Sequence, residues 1–220
     1  MNSANLRVIY EDNHLLAVNK PSGLLVQGDE TGDIPLVDIA KDYLKKKYNK
    51  PGNVFCGVIH RIDRPVSGLV LMAKTSKALT RMNEQFKQRD IKKTYLALVS
   101  KKPLRDGGKL IHWLTKDTSK NISKAYNQER SDALRAELDY DVVSQSDKAY
   151  LLEVFPLTGR PHQIRVQLAA MGCPIVGDLK YGYPSPNSDA SICLHALRLK
   201  FAHPVSLEEM HIEAGTPDWV

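Results

Sequence analysis

Apolar runs of strand length dominate the sequence, and they constrain its fold more than any other feature. The runs RVIYED and HLLAVNKP lie on either side of Asp12-Asn13 and predict a β-hairpin. Further strands are predicted in NVFCGVIHRID, SGLVLMAKT, KKTYLALVS, GGKLIHWLTKD, AELDYDVVSQSDKAYLLEVFPL (turning near Ser146-Asp147) and ICLHALRLKFAHP. Because these runs do not alternate one-for-one with helices, they predict an α+β fold with a mixed, mostly antiparallel sheet rather than a parallel doubly wound sheet.

Three stretches carry the spacing of apolar residues that is typical of an amphipathic helix. The first, PLVDIAKDYLKKKYNKPG, starts at Pro35 and is stopped by Pro51-Gly52. The second is SKALTRMNEQFKQRD, in which Ser76 is the expected N-cap. The third lies in TGRPHQIRVQLAAMG and is expected to end at Gly172. Helices and loops are therefore expected to flank the sheet.

Composition places the chain among soluble globular proteins. Its 220 residues suffice for one sizeable domain, which we predict to span residues 1–220. Three cysteines argue against a disulfide framework, and the N-terminus lacks the pattern of a signal peptide, so a cytoplasmic location is expected. A net charge of +6 favours a polyanionic partner. On charge alone, a merely soluble basic surface explains the composition equally well.

Several kinds of catalytic site are absent from the sequence. It contains no glycine-rich phosphate loop, no dinucleotide fingerprint and no G-x-S-x-G nucleophile motif. Cys56 and His60 are four residues apart, and Cys193 and His195 are two apart, but no zinc-binding frame surrounds them. Buried cysteines and hydrogen-bonded histidines explain these pairs better than a metal site does.

The segment HRIDRPVSG is the best candidate for a catalytic turn. It places Asp63 between Arg61 and Arg64 and joins two predicted strands that are almost wholly apolar. An isolated turn of this kind is often held by its own ion pairs. At the end of a buried sheet, however, an aspartate that a nearby cation keeps ionised is a usable nucleophile. Ser67-Gly68 allows the tight backbone path that the turn requires.

A second charged segment, TGRPHQIRVQL, begins the third predicted helix. It holds Arg160, His162, Gln163 and Arg165 within six positions. An arginine in the first turn of a helix is unfavourable beside the positive end of the helix dipole unless an anion lies near it. Arg165 also borders the apolar face, so it is expected to project inward; a solvent-facing basic turn is the alternative.

These motifs together resemble one family. The stretch HRIDRPVSGLVLMAKT is similar to the catalytic segment of the RluA-type pseudouridine synthases, H-R-L-D-x-x-T-S-G followed by an apolar strand. The other matching blocks are IYEDNHLLAVNKPSGLLV, KKTYLALV, LTGRPHQIRVQL, PIVGDLKYG and LHALRLKFAHP. They occur in the family's order from about residue 8 to residue 204, and jointly they are specific. Pro65 and Val66 depart from the family pattern.

The resemblance implies that uridine in RNA is isomerised to its C-glycoside, pseudouridine. It implies that Asp63 is the catalytic aspartate, that Tyr95 stacks near the target base, and that Arg165 keeps Asp63 ionised. Arg61 would fill the space that the flipped base leaves. The implied fold is a catalytic domain built on a long, bent, mixed sheet. No metal or organic cofactor is implied.

The expected partner is structured rRNA or tRNA, and the protein is expected to act as a monomer. The residues expected to bind RNA are His60, Arg61, Arg64, Arg160, His162, Gln163 and Lys20. Because the chain starts almost at the first hairpin, the N-terminal RNA-binding S4 domain of some relatives is expected to be missing. Two alternatives remain at this point: a non-catalytic RNA-binding protein on the same scaffold, and a glycosidase or nucleosidase that would need a second acid, for which the sequence offers Asp178.

Overall fold

The computed structural model describes residues 3–146 and 149–220. Within these residues, three α-helices and eleven strands in a large mixed sheet give the predicted α+β class. The described chain forms two compact units. The first runs to Ile91 and includes Ala196–Pro217, and the second comprises Lys92–His195 with the last three residues. The prediction of one domain over residues 1–220 stays a prediction.

The first unit contains an antiparallel hairpin beside the strand that leaves the Asp63 turn. Its strands are β1 (Val8–Glu11), β2 (Leu15–Lys20), β3 (Gly57–Val58), β4 (Ser67–Ala73), the part of β10 (Leu194–Ala202) from Ala196 onward, and β11 (Glu209–Glu213). The order is β1-β2-β4-β10, with β3 also on β4 and β11 also on β10. Helices α1 (Leu36–Lys47) and α2 (Ser76–Gln88) belong to this unit. Apolar residues of β2 and β4 pack against Met82 of α2 in its core.

The second unit is an antiparallel sheet with one α-helix. Its strands are β5 (Lys92–Val99), β6 (Gly107–Asp117), β7 (Ile122–Tyr126), β8 (Leu134–Gln145) and β9 (Tyr150–Pro156), in the order β5-β9-β8-β6-β7. Helix α3 (Gln163–Ala170) packs its Val166 against Leu114 and Ala136 of this sheet. This packing fixes the helix that carries Arg165.

The hairpin predicted around Asp12-Asn13 is confirmed, and the structure shows why it forms there. One carboxylate oxygen of Asp12 accepts the backbone N–H groups of His14 (2.7 Å) and Leu15 (2.6 Å). This side-chain turn satisfies two N–H groups that the hairpin's own ladder does not pair. Helix α1 is also confirmed, although it ends at Lys47 rather than at Pro51-Gly52.

Other sequence predictions differ from the structure in detail. The strand predicted before Asp63 is only two residues long, Gly57–Val58, and α2 is capped by the Thr75 side chain instead of Ser76. Strands β7 and β11 were not predicted, because ISKAY and EMHIE are only five residues long and neither is a continuous apolar run. The predicted turn at Ser146-Asp147 falls partly outside the described residues. No helix in the described part of the chain is long and apolar enough to cross a membrane.

Candidate active site

Asp63 lies in a closed turn between β3 and β4. Its backbone carbonyl accepts the N–H of Val66 at 3.1 Å, which closes the turn around Arg64 and Pro65. The side chains of Ile62 and Val66 are buried, at 8% and 2% exposure, whereas Asp63 is half-buried. The turn is thus anchored to the core on both sides of the aspartate. This gives Val66 a packing role that the sequence alone did not reveal.

Gly68 lets the strand after this turn lie unusually close to β10. Its φ is +113°, and a Cβ added there would be 2.3 Å from the carbonyl oxygen of Ala196. Only glycine tolerates both the positive φ and this distance. The predicted need for a tight path at Ser67-Gly68 is therefore confirmed.

Lys20 lies beside the Asp63 turn and is fully buried, which argues against the predicted direct contact with RNA. Its Nζ donates to the carbonyl oxygens of Pro21 (2.9 Å), Leu24 (2.7 Å) and Arg64 (3.2 Å). Burial lowers the pKa of Lys20 to about 7, while the negative charge of Asp63 raises it and Arg64 lowers it further. A phosphate cannot reach an ammonium with no exposed surface.

Arg64 links the Asp63 turn to the loop that follows β2. Its Nε donates to the carbonyl of Gly23 at 3.0 Å, and the N–H of Gly23 donates to the carbonyl of Arg64 at 2.8 Å. Its guanidinium also pairs with Asp33 at 2.6 Å, and both side chains are about half exposed. Arg61 is exposed at the surface. Both arginines have the exposure that an RNA contact requires.

His60 is a half-buried residue that supports the start of the turn. Its Nε2 accepts the backbone N–H of Leu71 at 3.0 Å, and its ring stacks on Phe86 with 5.3 Å between the centroids. Nε2 is therefore engaged with β4. The predicted RNA contact of His60 stays a prediction.

In the second unit, Arg165 of α3 forms a buried ion pair with Asp178. Its Nε and Nη2 donate to the two carboxylate oxygens at 2.7 and 2.8 Å, and the side chains are 6% and 1% exposed. This is the fork geometry in which two parallel charge-assisted bonds fix the guanidinium plane. The sequence prediction that Arg165 points inward is confirmed, and the anion beside it is Asp178, which the sequence did not identify. Both carboxylate oxygens of Asp178 accept hydrogen bonds from Arg165, which argues against Asp178 as the second acid of a glycosidase.

The ring of Tyr181 makes a second contact with the same guanidinium. The Arg165 Cζ lies 5.0 Å from the centre of the Tyr181 ring, a cation–π distance. The Tyr181 hydroxyl accepts the N–H of Ser123 at 2.9 Å and shares a 2.7 Å hydrogen bond with His162 Nδ1. Burial raises the pKa of Tyr181, so this hydroxyl stays protonated at neutral pH. Tyr181 was missed from the sequence; its signal was the block PIVGDLKYG, which carries both Asp178 and Tyr181.

The remaining residues of the TGRPHQIR segment divide into buried and accessible groups. Gln163 is 4% exposed, and its amide binds Thr158, the Arg160 N–H and the Glu137 carbonyl, so its predicted role in RNA contact does not fit its position. Arg160 is half-buried, and its Nε donates to the carbonyl of Arg135 at 3.1 Å. His162 is also half-buried, and it has a left-handed backbone before α3.

Tyr95 lies on β5 of the second unit, opposite Val154 of β9, and is half-buried. The structure thus brings Asp63, Lys20 and Arg64 together in one unit, and Arg165, Asp178, Tyr181 and His162 together in the other. That Asp63, Tyr95 and Arg165 form one catalytic group stays a prediction.

The cysteines behave as core residues. Burial raises the pKa of Cys56 to about 12, so its thiol stays protonated and is a poor metal ligand. Within the described ranges, no cluster of three or more histidine, cysteine or acidic side chains could hold a metal ion.

Comparison with known proteins finds one family throughout. Residues 14–170 match the family described as RNA pseudouridylate synthase. The ribosomal large subunit pseudouridine synthase C of Rickettsia bellii is 33% identical over 96% of this chain and 69% of its own length. The dual-specificity RNA pseudouridine synthase RluA of Yersinia pestis is 33% identical, over 94% of this chain and 97% of that protein.

Solved structures give the same fold. The human RNA pseudouridylate synthase domain containing 4 protein matches with a TM-score of 0.81 at 24% identity, covering 97% of this chain and 89% of that one. The domain containing 1 protein matches with a TM-score of 0.74 at 25% identity, covering 99% and 85%.

Proposed function

Because the chain belongs to the RNA pseudouridylate synthase family and is an RNA pseudouridine synthase, we propose that it isomerises one specific uridine in rRNA or tRNA, with Asp63 as the nucleophile. The observation that carries the proposal is the setting of Asp63. It is a half-buried carboxylate in a hydrogen-bonded turn whose neighbours Ile62 and Val66 are anchored in the core. A rigid platform of this kind is what an attacking group needs.

The reaction requires three changes in the substrate. The bond from C1′ to N1 breaks, the uracil rotates, and C5 bonds to C1′ and then loses its proton. A carboxylate can start this sequence by attacking covalently or by abstracting a proton, and both routes use its ionised form. Positive charge near Asp63 therefore favours the reaction.

Two residues of the second unit are proposed to act in the same reaction. Tyr95 is proposed to stack near the uracil and to assist the loss of the C5 proton. Arg165 is proposed to keep Asp63 ionised. This role of Arg165 is supported by its contacts with Asp178 and Tyr181, which hold the guanidinium plane in one orientation.

The RNA contacts are proposed to come from exposed and half-buried cationic or imidazole side chains. Arg61 is proposed to enter the stack that the flipped uridine leaves, because a base that reacts at its own ring atoms must leave the helix first. Arg64, Arg160, His60 and His162 are proposed to contact the RNA around it. Because unstacking costs less in single strands, a uridine in a loop or bulge is the proposed target.

Release of tritium tests this function directly. RNA labelled with tritium at C5 of uridine loses the label when C5 bonds to C1′. We expect the wild-type protein to release tritium from rRNA or tRNA, and Asp63→Asn to release none above background. Asp38→Asn is the matched control, since Asp38 is an exposed aspartate of α1 paired with Lys41. Equal release by wild type and Asp63→Asn would refute the nucleophile. RNA binding without release by the wild type would favour a non-catalytic RNA-binding protein.

A further inference from the structure

The strands β7, β6 and β8 of the second unit have one face against α3 and a second face on the other side. Leu114 and Ala136 pack against Val166 of α3. Because successive side chains of a strand alternate between its two faces, the residues that precede them, Trp113 and Arg135, lie on the opposite face. We call this opposite side of the three strands the outer face.

A row of two aromatic residues and one arginine crosses the outer face. Trp113 of β6 pairs directly with Tyr126 of β7 on one side and with Arg135 of β8 on the other. Residues that pair directly share a face and have neighbouring side chains. Trp113 and Tyr126 are half-buried, so each keeps part of its surface open to solvent. Arg135 has 54% of its side chain exposed and pairs with Glu137 at 2.5 Å.

Further cations lie around the two rings. The Cζ of Arg130 is 4.2 Å from the centre of the Tyr126 ring, a cation–π distance. Asp132 binds Nε and Nη2 of Arg130 at 2.9 and 3.0 Å, and such a fork uses the edge of the guanidinium rather than its faces. Lys124 is exposed and stands two positions before Tyr126, so it belongs to the same face. The outer face therefore combines aromatic surface with positive charge.

This combination suits single-stranded RNA. Unpaired bases stack on aromatic rings and on arginine guanidinium planes, while cations beside the rings bind the phosphates. The bases of a double helix are already stacked on one another, so a duplex cannot use the rings in this way. The net charge of +6 and the membership of the chain in a family of RNA-modifying enzymes favour RNA over a protein as the occupant.

We propose that the outer face binds single-stranded RNA of the substrate: Trp113 and Tyr126 stack on its bases, and Arg130, Arg135 and Lys124 contact its phosphates and base planes. The proposal rests on the proposed function, since it takes this RNA to belong to the molecule that is modified. It adds a stacking surface to the RNA contacts that the sequence motifs suggested.

The fluorescence of Trp113 tests the proposal directly, because an indole that stacks on a base loses emission. The chain has two tryptophans, Trp113 and Trp219, so a Trp219→Phe protein reports on Trp113 alone. We expect poly(U), which is single-stranded, to quench this emission, and duplex poly(A)·poly(U) at the same phosphate concentration to quench it much less. Absence of quenching by poly(U), or equal quenching by the duplex, would overturn the proposal.

Variants without the rings test the stacking itself. Leucine keeps much of the apolar volume of a ring but has no π-face, so Trp113→Leu and Tyr126→Leu should each weaken poly(U) binding about tenfold or more, and Tyr126→Phe should bind as the wild type does. Tyr48→Leu is the matched control, because Tyr48 is a 46% exposed tyrosine of the first unit that also has a lysine ammonium over its ring. Filter binding measures the affinities, and thermal unfolding verifies that each variant is folded. Equal losses in all three leucine variants, or no loss in Trp113→Leu and Tyr126→Leu, would overturn the proposal.

The same variants distinguish RNA from a protein occupant. If the outer face joined two copies of the chain instead, sedimentation velocity would show that the wild type self-associates and that Trp113→Leu does not, while both bind poly(U) equally. That result would overturn the proposal in favour of a protein interface.

None of these measurements requires turnover, so the two proposals can fail separately. If Asp63→Asn kept full tritium release while poly(U) bound through Trp113, the nucleophile assignment would fail and the RNA surface would stand. If Asp63→Asn were inactive while Trp113→Leu and Tyr126→Leu bound poly(U) normally, the nucleophile would stand and the RNA surface would fail.

Discussion

At the scale of single residues, Arg165 shows how burial decides the value of an ion pair. The chain contains a second arginine–aspartate fork of similar geometry, Arg130 with Asp132, at 2.9 and 3.0 Å. That pair is 45% and 57% exposed, whereas Arg165 and Asp178 are 6% and 1% exposed. Exposed pairs contribute little because water solvates the separated charges equally well. Breaking a buried pair leaves a charge with neither water nor its partner.

We therefore expect Asp178→Asn to lower the free energy of unfolding by about 3–5 kcal/mol. Asp132→Asn is the matched control and should leave the unfolding midpoint almost unchanged. Urea denaturation of the two variants beside the wild type measures both effects. Equal, small losses would contradict the account of Arg165 as a guanidinium held by a buried carboxylate.

At the scale of the structural elements, the approach of β4 to β10 depends on Gly68. A methyl group there would meet the backbone of Ala196 at 2.3–2.8 Å, and the backbone on both sides belongs to strands that cannot easily move. Gly172, after α3, also has a positive φ, +86°, but nothing lies within 4 Å of its would-be Cβ. The two glycines thus differ in the free space around them rather than in backbone conformation.

Gly68→Ala is expected to destabilise the protein by more than the roughly 1–3 kcal/mol of left-handed strain, and to lower activity by displacing the turn before β4. Gly172→Ala introduces the backbone strain alone, so it should lower the free energy of unfolding clearly less than Gly68→Ala does. Thermal unfolding compares the two variants. If Gly172→Ala were as destabilising as Gly68→Ala, the close approach of the strands would not be the reason for Gly68.

These elements also show what could be predicted from the sequence. The Asp63 turn, the Ser67-Gly68 path and the inward position of Arg165 followed from local pattern and the helix dipole. The anion beside Arg165 did not, because Asp178 lies thirteen positions further along the chain, beyond the end of α3. The burial of Lys20 was not predicted either, because one of the carbonyls that it binds, that of Arg64, lies forty-four positions away in the chain. Strands β7 and β11 are short and are not continuous apolar runs, so only their pairing identifies them.

At the scale of the whole molecule, the net charge of +6 matches a protein that binds RNA, while individual lysines serve other roles. Lys46 and Lys47, at the end of α1, pair with Asp42 and Glu11, and Lys20 is buried. Charge composition alone therefore does not locate the RNA. Family membership identifies the chemistry, and the position of Asp63 supplies the candidate for performing it. A monomer and a cytoplasmic location remain predictions.

Mapping of pseudouridine in cellular RNA tests the central claim most directly. Total rRNA and tRNA are compared between cells that lack the gene and the same cells carrying wild-type or Asp63→Asn protein at equal levels. We expect a specific uridine to be unmodified in the deletion, restored by the wild type and left unmodified by Asp63→Asn. A site that the wild type and Asp63→Asn restore equally would contradict the account, because the isomerisation would then proceed without the Asp63 carboxylate.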